Sequence, residues 1–546
     1  MLPGIVSRHR GFAHVAMAAV AVAIAAVGIL SPGTYTNLYT HDALYLLNAS
    51  YTAWHGFVPH VDFIWQFGGF EIGLIALAFS VFGVSVKAVG QAIAFGYLIT
   101  AALLWLGCGR QVRLLTFALL LFLITAVCLT RFPFESGSPD IAVQSYAMFY
   151  NRLSWALSIV AFSALLLPER VGTAQLIACS TALFLVATTK VTFGVLFVPA
   201  AVLIFVRAGG RGLLIGFGWA LLLGALAWLL FGYGPSAYLG TITDILDATS
   251  DFHDPTFTPL KKLIYVTLFH GLSLFAVAAG LAAAFFLFPR NRPLTIKLLA
   301  LAAIVLLSLL VTVTTGTFYA VTATTPIFAF AAIVLADAAL GNGGEERDSR
   351  FRLVFAAAFA FFAVAWATPY FLNYLAGVAK EATRTEQALF TSGPLKGLII
   401  DKPDVNKSPV FTSREHANSY IAARNRLEGG VAWMDDYEWQ YLLADGLDAA
   451  ATLPQIDRRK VVTFTMNHAP FDLGAAPQTS FPSHAQKSAP SVVRLGAIPA
   501  EVDTLMLVRD EKEKVLEKHF AASIGRDFVV AKQSLFWDIY VRKPGR

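Results

Sequence analysis

From residue 11 to residue 372 the chain is a succession of apolar blocks, several close to the roughly 20 residues that a helix needs to cross a bilayer. No other feature restricts the possible folds as strongly. Inside a hydrocarbon layer each backbone N–H and C=O must find its partner within the protein, so runs of this length predict packed helices. Spans are expected near 11–30, 87–107, 114–130, 150–167, 172–189, 191–206, 212–232, 263–288, 295–315, 319–340 and 353–372. Only 14% of the residues are charged, against about a quarter in a typical soluble chain. After residue 373 the composition reverts to that of a soluble protein. The expected class is mainly α, a polytopic membrane protein of about 11 transmembrane helices with amphipathic juxtamembrane helices. A soluble α/β domain follows at the C-terminus. Residues 1–372 form the membrane domain, with a first outer loop at 31–86, and residues 373–546 the soluble one.

The block after Arg8 and Arg10 is longer than the core of a cleaved signal peptide, and Ser31-Pro32-Gly33 is a poor cleavage site, so it is read as a retained anchor. Alternate loops carry arginine: 107–113, 168–170, 207–211, 289–293 and 341–352. The positive-inside rule places those loops and the N-terminus in the cytoplasm. An odd number of spans then puts 373–546 in the periplasm of a bacterial inner-membrane protein. This orientation requires that 68–83 lie along the interface without crossing. The same rule accounts for the net charge of +6 without any nucleic-acid partner. Cys108, Cys128 and Cys179 lie in or beside apolar blocks and form no metal-type spacing.

The first outer loop is polar and aromatic. Leu44, Leu47 and Tyr51 recur at helical spacing with Trp54 beside them, a pattern for an amphipathic helix over 43–55 at headgroup depth. "GFVPHVDF" then supplies a turn and a short extended piece. An aspartate just past the first span, a helix ending in "WHG", then "VPHVDF" and an apolar helix ending in "FG" resemble the first outer loop of the GT-C superfamily. These are membrane glycosyltransferases that use polyprenyl-phosphate sugars, among them the protein mannosyltransferase and aminoarabinose transferase families. The resemblance implies that Asp42 is the catalytic carboxylate, a base for the acceptor hydroxyl. Helix N-capping is its plain structural alternative. Asp62 either helps shape the site or stabilises its turn. His41 and His60 are substrate-side candidates that could also join a carboxylate around a divalent metal, although their spacing follows no metal pattern.

Relatives of this kind carry a second acid in the next outer loop, where Asp140 is the closest match and Glu135 a competitor. Asp140 could equally begin a turn. Arg152 and Lys190 stand near span ends, where a base needs a partner, and a donor phosphate would provide one; snorkelling is the alternative. The Lys-Pro-Pro of aminoarabinose transferases is replaced here within "FIWQFGGFE", leaving Gln66 and two glycines.

The acids and His253 of 244–254 lack the EF-hand pattern, and 313–326 is a Thr/Gly-rich turn. The C-terminal region alternates strand-like "LKGLIID", "KVVTFTM" and "VDTLMLV" with helix-like runs. It closes on a hairpin pattern in "FVVAKQSLFWDIYVRK", and "WMDDYEW" at 433–439 would suit carbohydrate stacking. The function expected is transfer of a sugar from a polyprenyl-phosphate donor to a lipid or cell-envelope polysaccharide, with inversion. A polysaccharide polymerase or ligase is the alternative, resting on Arg131, Arg152 and His253. A transporter ranks below both, because charges at mid-membrane and repeat symmetry are wanting.

Overall fold

The computed structural model describes residues 3–36, 40–63, 65, 67–109, 111–133, 140–232, 234–250, 259–288, 292–314, 325–341, 346–383, 393–400, 445–453, 460–463, 471, 498–508 and 514–544. Thirteen helices precede residue 384 among them: α1 (Pro3–Leu30), α2 (Thr40–Trp54), α3 (Phe70–Phe82), α4 (Ala88–Cys108), α5 (Leu114–Leu129), α6 (Phe149–Leu166), α7 (Thr173–Ala187), α8 (Phe197–Phe231), α9 (Pro235–Ser250), α10 (Pro259–Leu287), α11 (Arg292–Thr314), α12 (Thr325–Gly341) and α13 (Glu346–Thr383). Among the described residues six helical stretches are long and apolar enough to cross a membrane: Phe12–Leu30, Ala88–Cys108, Phe149–Leu166, Val191–Phe231, Pro293–Val311 and Arg350–Thr383.

The core of the bundle is α6, buried along its whole length. Small residues let its neighbours approach: a Cβ on Gly107 of α4 would stand 2.8 Å from that of Ala164. The outer helices have the reverse character. Leu214, Phe217, Leu221, Trp228 and Leu229 of α8 are exposed, as are Phe361 of α13 and Leu272 of α10. In water such an apolar face would be a liability, whereas against lipid tails it is the expected surface.

The two spans expected at 191–206 and 212–232 appear as one helical stretch broken at Gly209, whose φ of 69° and ψ of −171° are non-helical. Glycine adopts that φ without a Cβ clash. The arms fold together, so that a Cβ on Gly216 would meet Ile204 at 3.6 Å. Arg207 secures the bend by donating to the carbonyls of Leu165, Pro168 and Glu169 at 2.6, 2.7 and 2.8 Å. α3 has 13 residues, about 20 Å of helix, well short of the roughly 30 Å hydrocarbon layer.

Two helices begin or end elsewhere than the sequence predicts. The first-loop helix starts at Thr40, not Ala43, so Asp42 lies inside its first turn instead of preceding it as a cap. α13 runs through Pro369 to Thr383, where Glu381 accepts from the backbone N and hydroxyl of Thr34 at 2.9 Å each.

The C-terminal region supplies β2 (Ile399–Ile400), β3 (Val461–Thr463), β4 (Thr504–Val508), a helix α14 (Lys514–Asp527), β5 (Phe528–Gln533) and β6 (Trp537–Arg542). The order is β3-β4-β6-β5, with β3 and β4 parallel and the other pairs antiparallel. The expected hairpin is β5–β6. This region also reaches the first loop. β2 pairs in parallel with β1 (Tyr35–Thr36), and the N–H of Val86 donates to the Pro394 carbonyl at 2.9 Å. Phe471 is buried against Tyr51 and Phe79, with ring centroids 6.0 and 5.9 Å apart. "WMDDYEW" and residues 251–258 and 315–324 lie outside the described residues.

Candidate active site

The loop between α2 and α3 is anchored by Trp65, fully buried, whose indole N–H donates to the Gly68 carbonyl at 2.9 Å. Its ring packs on Tyr45 of α2 at 4.7 Å, one turn beyond Asp42. The loop then lies on the end of α7: the N–H of Gly68 donates to Thr189 O at 2.8 Å, and that of Phe70 to Thr188 O at 3.0 Å. A Cβ on Gly68 would fall 1.7 Å from the Thr188 carbonyl oxygen, so no larger residue fits this approach. The glycine at 68 thus has a packing reason.

That docking delivers three groups to one place. Lys190, the residue after the docked carbonyls, donates through Nζ to Asn151 Oδ1 at 2.9 Å. Its ammonium stands 5.1 Å from the Tyr150 ring centre and 5.9 Å from that of Phe67, two rings themselves 4.1 Å apart. Cation–π attraction of this kind contributes on the order of 1 kcal/mol at each face. The third group is Glu71, in the first turn of α3, fully buried, with both carboxylate oxygens lacking a hydrogen bond among the described residues. Burial pushes its carboxyl well above the usual range, and the nearby Lys190 opposes that only in part. The same burial opposes a negative charge on Glu71 beside the Lys190 ammonium.

His60, at φ 68°, packs its ring 5.0 Å from Tyr238, whose hydroxyl donates to Ala187 O at 3.0 Å on the same end of α7. Burial lowers the imidazole to about 4, so it is neutral at pH 7. Cation, amide, buried carboxyl, neutral imidazole and a wall of aromatic rings therefore meet beneath the first loop. Such a nest can accept an anion and present flat apolar faces beside it.

The remaining sequence candidates are placed differently. Asp62 is exposed, and its Oδ2 accepts from the Val58 N–H at 2.6 Å, closing the turn. Asp140 is exposed too, with Oδ1 accepting from the Ala142 N–H at 2.8 Å. Its loop is tied to α13 by Asn373, which donates to the Asp140 carbonyl at 3.0 Å. Arg152, 1% exposed, donates to the carbonyls of Thr130 and Ala147. Arg131 is buried and donates to Ser31 O at 2.9 Å. Gln66, Glu135, His253 and the His41 side chain lie outside the described residues. No group of three or more His, Cys, Asp or Glu side chains suited to a metal occurs among the described residues.

Asn151, Tyr150, Tyr238 and Glu71 were not singled out from sequence as site residues. Two signals were present: Asn151-Arg152 is a polar pair opening an otherwise apolar helix, and Glu71 is the one acid of α3.

No family model matches the chain, and no curated protein does. Among solved structures it is similar to the crystal structure of ArnT from Cupriavidus metallidurans bound to undecaprenyl phosphate. The identity is 11%, the TM-score 0.48, and the match covers 97% of this chain and 98% of that one. It is also similar to ArnT from the same organism in the apo state, at 11% identity and a TM-score of 0.45, over 96% and 97% of the two chains.

Proposed function

We propose that this protein is a membrane glycosyltransferase that moves a sugar from a polyprenyl-phosphate donor to a lipid or cell-envelope polysaccharide on the outer face of a bacterial inner membrane. The observation that carries the reading is Lys190, held by Asn151 and two aromatic rings directly under the first loop. The donor's phosphate would sit against that ammonium, the role left open by the missing Lys-Pro-Pro. The acceptor oxygen attacks the anomeric carbon as the bond to the phosphate oxygen breaks, which inverts the centre. Asp42, in the first turn of α2, takes the acceptor proton. The leaving polyprenyl phosphate gains charge as that bond breaks, and Lys190 stabilises it where it develops. Phe67, Tyr150 and Trp65 offer surfaces for the sugar or the first prenyl units.

In this reading Asp62 and Asp140 shape their loops through the turns they close. Counting the broken α8 stretch as two spans, and adding α5, α7, α10 and α12, gives the eleven crossings expected, with α3 at the interface. The N-terminus is then cytoplasmic and the C-terminal domain periplasmic, where it covers the first loop and serves acceptor binding.

The test supplies membranes containing wild type, Asp42→Asn or Lys190→Gln with a panel of radiolabelled polyprenyl-phosphate sugars. Transfer by wild type, lost in both variants at equal abundance, supports the assignment. Transfer by Asp42→Asn at the wild-type rate removes Asp42 from the chemistry. Silence of wild type across the whole panel overturns the reading.

A further inference from the structure

The opposite end of the bundle holds a second polar feature that sugar transfer does not use. The ends of α4, α6 and α12 and the starts of α5 and α11 surround a cavity of about 730 Å³, lined among others by Gln111, Arg113, Glu169, Arg170, Lys297 and Asp337. That volume lies within the range of ordinary small-molecule sites. Arg207 borders it through its bonds to Pro168 O and Glu169 O.

Among the described residues its charges do not balance. Asp337 is engaged by Arg113 at 3.2 Å and by the Thr116 hydroxyl at 2.9 Å. Glu169 is exposed at the rim, like Arg170. Arg207 is bonded to backbone carbonyls, which orient its charge without cancelling it. Among the described residues Lys297 reaches only the Leu167 carbonyl, at 3.4 Å, near the limit of a hydrogen bond. Among the described residues three lining cations, Arg113, Arg170 and Lys297, with Arg207 at the border, thus face two carboxylates, in a cavity bounded by helices whose outer sides are apolar. Partly desolvated cations of this kind require an anion. The forked guanidinium donors and the lysine ammonium match phosphate oxygens.

We propose that this cavity binds a phosphate group, carried by the headgroup of an anionic phospholipid of the adjacent leaflet. Basic pockets between helix ends at that depth suit such headgroups, and the apolar flanks of α8 and α11 lie where acyl chains would run. Arg113 and Arg207 hold the frame, and Lys297 and Arg170 make the contacts that the ligand completes. The site is independent of the reaction proposed at the other end.

The test is native mass spectrometry of detergent-purified full-length protein titrated with phosphatidylglycerol or phosphatidylcholine. Wild type, Lys297→Arg and the double variant Lys297→Gln/Arg170→Gln are compared. Wild type and Lys297→Arg are expected to bind one phosphatidylglycerol at least about tenfold more tightly than the double variant, with phosphatidylcholine alike in all three. If the double variant does not fold, Arg170→Gln alone, at the exposed rim, carries the comparison with an expected loss of about threefold. A parallel arm reads the thermal midpoint in millimolar inorganic phosphate. A rise in wild type that the variant lacks, with lipid binding unchanged, keeps the anion site and assigns it to a soluble phosphate. Equal binding of both lipids and equal response to phosphate in all variants overturns the proposal.

Discussion

Asn151 and Arg152 are consecutive residues of α6, about 100° apart around its axis, and each serves a different cationic region. Asn151 turns to α7 and holds the ammonium of Lys190 beside aromatic rings. Arg152 turns to the α5–α13 side, where its guanidinium ties the Thr130 and Ala147 carbonyls. Both cations sit at the first-loop end of the bundle, yet their surroundings differ in kind. A guanidinium donating to main-chain carbonyls fixes backbone. An ammonium donating to a side-chain amide beside two ring faces joins side chains of α6 and the first loop instead. Charge at a helix end is therefore a poor guide to function until its partners are known.

The largest effect should come from breaking the surface on which Lys190 is presented. Gly68→Ala drives a Cβ into the Thr188 carbonyl and should cost about 4 kcal/mol or more, displacing the loop and abolishing transfer. A thermal midpoint equal to that of wild type would show that the loop can shift at little cost. Next, Arg152→Gln orphans two buried carbonyls and should cost about 2–4 kcal/mol of stability, while its folded fraction still transfers sugar. Lys190→Gln should do the reverse, lowering turnover about 100-fold with an unchanged thermal midpoint. If the two variants exchange phenotypes, the comparison fails.

Smaller effects concern protons. Burial raises the Glu71 carboxyl, so the folded chain binds that proton more tightly than the unfolded one. The resulting stability is complete below the ordinary carboxylate value and is lost as pH rises through the raised one. Glu71→Gln, neutral at every pH, should flatten the alkaline decline of the thermal midpoint measured from about pH 5 to 9. A variant curve parallel to wild type would mean that Glu71 is ionised. His60 behaves oppositely, its folded value near 4 lying below its ordinary 6.5. Its contribution is present above 6.5 and is lost as pH falls toward 4. His60→Asn, which tolerates the positive φ, should remove that acid-side loss, the smallest change of the set.

Much of the framework was legible because it follows from one-dimensional signals. Hydropathy runs locate the membrane-length helices, the arginine-glycine turn at 207–211 marks the bend at Gly209, and alternation marks the β5–β6 hairpin. Lys190 was legible as a base at a span end. Its partners were not, because Asn151 lies 39 residues earlier and only the packing of α6 on α7 joins them. Glu71 was hidden for a related reason: an acid at a helix start reads as solvated until a neighbouring loop buries it. Asp62 and Asp140 show the converse. The same local sequence suits a catalytic carboxylate or a turn, and the backbone N–H that each one accepts is visible only in the fold.

The pairing of β1 with β2 has a consequence in time. Tyr35 and Thr36 leave the ribosome early, whereas their partners Ile399 and Ile400 follow about 360 residues later, on the order of 20–70 s at bacterial elongation rates. Phe471, which packs between α2 and α3, comes later still. Throughout that interval the first loop must wait with an unpaired strand and an uncovered apolar seam. Completion of the site is thereby coupled to completion of the chain, and a truncated product carries its helices without the clasp that closes them.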